Sequence, residues 1–191
     1  QGPVDGTLTR AGLHSLDLAD ALEALIAVGA DTTADRQYTY QRVSSLEVVT
    51  AQDALARALV AGRLAQISGI SATSLVAEVE RYARASAELD PNFRSGAAQR
   101  LLGTLYVMAP AGLLEHGDSE VGLELLQSLA QRFPDHVPNR LRAAEAYLAL
   151  GDPPPAQPHL CYCVAHRSGL RPDERKLLDE LLAQSEVERC P

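Results

Sequence analysis

The chain of 191 residues has few aromatic side chains and no tryptophan. Aromatic residues make up 4% of the chain, whereas hydrophobic residues of all kinds make up 46%. Sheets favour β-branched and aromatic side chains, while the alanine and leucine that dominate here favour helices. The composition therefore predicts an all-α protein of closely packed helices. A chain of this length can bury one sizeable core, so we expect a single domain.

The chain also lacks an excess of positive charge and a long apolar run. Its net charge of −8 argues against a nucleic-acid partner, because phosphate backbones are bound by basic surfaces. No apolar run approaches the ~20 residues that cross a bilayer, so no transmembrane segment is expected. The chain begins with Gln1, and we expect it to be a processed product of a longer precursor.

Recognisable catalytic motifs are missing as well. The sequence has no Gly-x-Ser-x-Gly, no phosphate-binding glycine loop and no His-Glu-x-x-His. The acidic residues of two segments are expected at helix starts or on exposed faces: Asp17, Asp20, Glu23, Asp173, Glu174, Asp179 and Glu180. We therefore predict a protein that is not an enzyme and has no cofactor. A helical enzyme acting on a small ligand is the weakest of the alternatives.

The N-terminal third is the least regular part of the sequence. Residues 1–14 have no periodic apolar pattern, which predicts a flexible arm followed by one domain over 15–191. Residues 31–49 have some strand character, but a helix fits their neighbours better. The Thr50-x-x-Asp53 step is typical of a helix start.

The centre of the chain carries motifs that are typical of a helical repeat. Leu102-Gly103-x-x-Tyr106 matches the first helix of a tetratricopeptide repeat, and Ala144-x-x-Tyr147 repeats the pattern. A small residue one turn before a tyrosine lets two helix backbones approach, and the ring then covers the contact.

Turn signals follow each of these helices in the same order. The repeat boundaries are marked by Gly117-Asp118, Gly151-Asp152, Pro91, Pro134 and Pro172. They predict a tetratricopeptide-like solenoid of antiparallel helix pairs, with an ordinary helical bundle as the alternative. Pro158 is expected in the first turn of its helix, and Pro172 is expected to begin a C-terminal capping helix.

A longer stretch, residues 89–160, carries more than the generic repeat. Three segments within it carry the resemblance described below: LDPNFRSGAAQRLLGTLYVMAP, GDSEVGLELLQ and FPDHVPNRLRAAEAYLALGD. Its most distinctive part is the helix with Gly96 and Gly103, followed by a proline-containing loop and a Gly-Asp pair. This stretch resembles the T component associated with TRAP transporters, a bacterial periplasmic tetratricopeptide-like family. Gly122 departs from the repeat, which prefers alanine there.

The resemblance implies a location and a partner. It implies a periplasmic, lipoprotein-like protein, membrane-tethered in its full-length precursor, that binds a solute-binding subunit. The alternative is a scaffold or assembly subunit of a bacterial cell-envelope complex that uses the same helices for a different protein. A second copy of this chain is a further partner that the sequence leaves open.

Helical-repeat proteins bind through the concave wall built by the first helix of each pair. The positions flanking Gly103 and Ala144 predict a partner-binding set of Arg100, Thr104, Val107, Leu141, Glu145 and Leu148. The alternative is that the three apolar members belong to the core, which we favour for the two leucines.

One segment carries metal-ligand residue types, in the pattern His159-x-Cys161-x-Cys163-x-x-His166. On a helix, Cys161 and Cys163 differ by about 200° around the axis and cannot share one ion. His159, Cys163 and His166 lie near one face, so a three-ligand site is geometrically open. We expect instead that Cys163 is a small packed residue and that no metal is bound.

Cys161 and Cys190 form a candidate disulfide. A last helix that returns antiparallel to the helix of Cys161 would bring the tail back towards it, because the intervening turn is short. The alternative is three free thiols in a cytosolic protein.

Overall fold

The structure, a computed structural model, describes residues 2–69, 72–185 and 190. In these residues the regular secondary structure is entirely helical. The helices are α1 (Ser15–Ala27), α2 (Thr33–Ser44), α3 (Ala51–Ala65), α4 (Ala72–Leu89), α5 (Ala97–Met108), α6 (Ser119–Arg132), α7 (Val137–Ala149), α8 (Pro153–Ala165) and α9 (Pro172–Gln184). The predicted all-α fold class is confirmed.

The helices pack as consecutive antiparallel pairs. The pairs are α3 with α4, α5 with α6, and α7 with α8, and each pair also contacts the next. Helices α1 and α2 pack on α3, while α9 packs on α7 and α8 and buries Leu178 and Leu181. This is the predicted tetratricopeptide-like solenoid with its C-terminal capping helix. None of the described helices is both long and apolar enough to cross a membrane.

Helices α5 and α6 meet through two glycines. A Cβ atom added at Gly103 would lie 2.8 Å from Cγ of Leu126 and 3.0 Å from the carbonyl oxygen of Gly122. A Cβ atom at Gly122 would lie 2.7 Å from the carbonyl oxygen of Gly103. The close approach predicted at Gly103 is therefore present. It also explains why Gly122 replaces the alanine of the standard repeat, since alanine would not fit.

The connection between α5 and α6, residues 109–117, is held by a carboxylate of α4. Glu80 is 2% exposed and accepts hydrogen bonds from the Tyr106 hydroxyl at 2.9 Å and from the backbone N–H groups of Glu115 and His116 at 2.9 and 2.7 Å. Burial raises the pKa of Glu80, but these donors outweigh it and lower the pKa below its ordinary value. The extra length of this loop is therefore anchored to the solenoid.

The segment 2–14 is packed rather than free. Leu8 is 1% exposed and lies in the core formed with α1, α2 and α3. The backbone N–H of Asp5 donates to Oδ1 of Asp35 at 2.7 Å. The prediction of a flexible arm is wrong for these residues. Val4 and Leu13 pack against the same core as Leu8, and together with one backbone hydrogen bond they dock the segment without any periodic apolar pattern.

The uncertain segment 31–49 contains helix α2 and no strand. A reciprocal cap begins this helix, since the Thr32 hydroxyl accepts from the backbone N–H of Asp35 and the Asp35 carboxylate accepts from the backbone N–H of Thr32. Thr50 and Asp53 form the same cap at the start of α3, as predicted.

Helix α8 begins earlier than expected. Its first residue is Pro153, so Pro158 lies in the second turn instead of the first. Prolines are tolerated in a first turn because their missing N–H groups have no partner there, and the run of three prolines starts the helix. The prediction for Pro158 is wrong, and the carbonyl of Pro154 loses its intrahelical donor.

The structure joins Cys161 to Cys190 in a disulfide, with a Cα–Cα distance of 5.3 Å. These are the two cysteines that the sequence analysis pairs. The remaining cysteine, Cys163, is fully buried among leucines of α7, α8 and α9, and burial raises its pKa to about 12. It is a packed residue rather than a reactive thiol.

Gly103→Leu is expected to destabilise the protein. The new side chain meets the backbone of α6, and overpacking of this kind costs roughly 1–3 kcal/mol or more. Urea unfolding followed by circular dichroism measures the change. Gly112→Leu is the matched control, because no atom lies within 4 Å of a Cβ at that position. Equal midpoints for the two variants would contradict the close helix contact.

Removing the disulfide with Cys161→Ser is expected to cost roughly 3–4 kcal/mol in the chain-entropy model. Mass spectrometry after alkylation in denaturant tests the pairing directly. The unreduced protein should take up one alkyl group, at Cys163, and the reduced protein three, at the 3 cysteines of the chain. Three groups before reduction would rule the disulfide out.

Candidate functional site

The first helices of the three pairs form an inner wall together with α1 and α9. Helices α1, α3, α5, α7 and α9 contact one another in that order, and α9 also contacts α1, so that the five follow a closed ring. Charged side chains from all five carry contacts across this wall. We call them the inner charged cluster: Glu23, Arg63, Arg100, Arg142, Glu145, Arg171, Asp173 and Glu174.

The centre of the cluster is one carboxylate shared by two arginines. Arg63 donates to both oxygens of Glu23, at 2.6 and 2.7 Å, and Arg171 donates to Oε2 of Glu23 at 2.9 Å. Glu23 is 8% exposed. Burial raises the pKa of Glu23, but the two guanidinium groups outweigh it and lower the pKa below its ordinary value. The triad joins α1, α3 and the start of α9.

The N-terminus of α9 continues the cluster. Arg171 donates to Asp173 at 3.0 Å, and its backbone N–H donates to the Glu174 carboxylate at 2.9 Å. Glu23 and Glu174 are thus buried and paired. The expectation of a helix start or an exposed face is confirmed for Glu174, which lies in the first turn of α9, and is wrong for Glu23, which is buried beyond the first turn of α1. The partners of Glu23 could not be deduced from local sequence, because Arg63 and Arg171 lie 40 and 148 residues from it.

Arg100 is the exception in this cluster. One guanidinium nitrogen donates to Oδ1 of the fully buried Asn139 at 2.7 Å, and Arg100 forms no ion pair with any described residue. Burial lowers the pKa of Arg100 to about 10, an effect that Glu174 opposes and the like charge of Arg142 reinforces. Burial and the nearby Arg100 charge lower the pKa of His136 to about 4.

The polar members of the predicted partner-binding set lie on this wall. Arg100, Thr104 and Glu145 are all half-buried. The Thr104 hydroxyl donates to the carbonyl of Arg100 at 2.8 Å, and Glu145 pairs with Arg142 at 2.7 Å. Helices α5 and α7 of the wall therefore carry polar side chains that are held in place and only half-buried.

The apolar members belong to the core. Leu141 is fully buried, and Leu148 packs against the same cluster, which contains Leu178 and Leu181 of α9. Val107 packs against the core between α6 and α7. The structure thus supports the alternative that these three belong to the core, which the sequence favours for the two leucines, and it removes Val107, Leu141 and Leu148 from the predicted partner-binding set. For the two leucines the reason is α9, which covers the face of α7 that a two-helix pattern leaves open.

The residues of the candidate metal site do not converge. His159 stacks on Tyr147 with ring centroids 6.1 Å apart, and His166 stacks on Tyr162 with centroids 4.1 Å apart. Cys163 lies in the core between them. Within the described part of the chain, no three His, Cys, Asp or Glu side chains are arranged to hold a metal ion.

Sequence reasoning missed the triad, Glu80 and Asn139. A signal for Glu23 existed, since it lies four residues after Ala19 and three before Ile26, on the periodic apolar stripe of α1. A charged residue on a buried stripe implies a buried partner. Comparison of the chain with protein-family models and with curated proteins gives no match.

Glu23→Gln is expected to cost roughly 3–5 kcal/mol at pH 7, because it leaves two partly buried guanidinium groups without their carboxylate. The pKa of Glu23 is depressed, so its stabilising contribution is present above the ordinary value of 4.5 and is lost as pH falls through the lower folded-state pKa. The difference from the unchanged protein should therefore shrink below pH 4.5.

Urea unfolding from pH 7 to pH 3 measures this difference. Glu180→Gln is the matched control, since Glu180 is exposed on α9 and forms no ion pair with a described residue. A loss of stability that does not depend on pH would contradict the role of the Glu23 charge.

Proposed function

We propose that the chain is a non-catalytic, exported helical-repeat protein that binds a protein partner through its inner wall. The partner that fits best is a periplasmic solute-binding subunit, as in the T component of TRAP transporters. The observation that carries the proposal is the row of half-buried polar side chains on the wall, Arg100, Thr104 and Glu145. Solenoid proteins use such walls as extended binding surfaces.

Arg100 is the residue of this wall that is best placed to bind an acidic group of a partner. Its guanidinium is fixed by Asn139 but has no carboxylate partner among the described residues. Arginine is enriched at the energetic centres of interfaces, because its planar group binds a carboxylate through two hydrogen bonds. An acidic side chain of the partner would offset the desolvation of Arg100.

The disulfide supports an exported location. Disulfides persist in oxidising compartments such as the periplasm and are rare in the cytosol. The bond between Cys161 and Cys190 ties the chain beyond α9 to α8. We propose that the protein works in the periplasm and that its full-length precursor is tethered to a membrane.

The alternative partner is another cell-envelope complex, for which the protein would serve as a scaffold or assembly subunit. One observation favours keeping it. The two glycines that distinguish residues 89–160 both have structural reasons, since Gly96 has a φ of 77° before α5 and Gly103 contacts α6. They therefore explain the architecture without requiring a solute-binding subunit.

Co-purification from cross-linked envelopes of the source organism tests the proposal. A solute-binding subunit is expected to elute with the tagged protein and to be lost with Thr104→Arg, which adds bulk and charge on the inner wall. Thr33→Arg is the matched control, because Thr33 is exposed at the start of α2. Urea unfolding is measured first, to establish that both variants have the same unfolding midpoint as the unchanged protein.

Two other outcomes discriminate between the hypotheses. Secretion or pilus components in place of a solute-binding subunit would support the scaffold alternative. A partner retained equally by both variants would contradict the assignment of the inner wall as the binding surface.

A further inference from the structure

Helices α6, α7 and α8 form a second concave site on the opposite side of α7. Arg140 faces this cleft and Arg142 belongs to the inner charged cluster, which agrees with the turn of about 200° between positions two apart on a helix. The cleft has a volume of about 450 Å³, within the range of roughly 300–1,000 Å³ for small-molecule sites. It is lined by Gln127, Ala130, Gln131, Pro134, Arg140, Tyr147 and His159.

None of the lining residues is acidic, although the chain as a whole has a net charge of −8. The only permanently charged group among them is Arg140. It donates to the carbonyl of Pro134 at 3.2 Å and lies over the ring of Tyr162, 5.0 Å from its centroid. Arg140 forms no ion pair with any described residue. Its charge is therefore available to a ligand.

Two further polar groups of the cleft, those of Tyr147 and His159, have a hydrogen that they can donate. Nδ1 of His159 lies 3.5 Å from a guanidinium nitrogen of Arg140, which can only donate, and the neutral tautomer that fits this contact has its proton on Nε2. The Tyr147 hydroxyl accepts from the Gln127 amide at 2.6 Å, which leaves its own hydrogen free to donate. Burial and the Arg140 charge lower the pKa of His159, which favours the neutral imidazole.

We propose that this cleft binds a small organic carboxylate, with Arg140 as the charged anchor and Tyr147 and His159 as further donors. A planar carboxylate matches the two-pronged geometry of a guanidinium. One permanent cation balances one negative charge, whereas a doubly charged phosphate would leave a charge uncompensated in an acidic protein. This site is independent of the inner wall and of the protein partner proposed for it.

Isothermal titration with benzoate and acetate at constant ionic strength tests the site. Benzamide, which has the shape of benzoate without its charge, should bind at least about tenfold more weakly, since a charged hydrogen-bonded pair is lost. Arg140→Gln is expected to weaken benzoate binding at least about tenfold for the same reason. Arg42→Gln is the matched control, because Arg42 is exposed and its side chain forms no ion pair with a described residue.

Tyr147→Phe provides a second variant should Arg140→Gln fail to fold, and it should weaken benzoate binding severalfold. Absence of saturable binding of either carboxylate to the unchanged protein would overturn the proposal. So would equal benzoate affinities in Arg140→Gln and Arg42→Gln. Inorganic phosphate binding more tightly than benzoate would overturn the carboxylate assignment.

Discussion

The close approach of helix backbones is the constraint on which the rest of this structure depends. Gly103 and Gly122 leave no room for a Cβ atom between α5 and α6, and alanines such as Ala58, Ala83 and Ala143 are fully buried where the helix pairs meet. A chain with 4% aromatic residues fills its core by bringing helices together rather than by inserting large rings between them. Both candidate sites lie away from these seams, one on the inner wall and one in the cleft between α6, α7 and α8.

Local signals predicted the architecture because each of them acts within one or two turns of helix. The reciprocal cap of Thr50 and Asp53 and the close packing of Gly103 both depend on residues near in sequence or on a shared repeat pattern. The segment of Leu8 was misjudged for the opposite reason. Leu8 docks on helices that follow it, so its burial cannot be deduced from the periodicity of its own segment.

The same distinction holds for the candidate sites. The polar positions of the inner wall followed from the repeat register, whereas the triad around Glu23 joins three segments with no common motif. Helix α7 separates two kinds of chemistry: Arg142 is neutralised by Glu145, while Arg140 faces a cleft lined by no carboxylate. The sequence pattern places both arginines on one helix. Their different surroundings become visible only when α6 and α8 pack against α7.

The contact between Glu23 and Arg171 also bears on the order in which the protein folds. The two residues are 148 positions apart in the sequence, so this ion pair cannot form until the chain has been synthesised or exported as far as Arg171. The helix pairs can fold earlier from contacts between neighbours, and contacts of large sequence separation are formed slowly. Terminal units of a repeat array ordinarily open first, because each has a neighbour on one side only. Here the first and last helices hold each other, so we expect the two ends of the solenoid to open together, as one cooperative step.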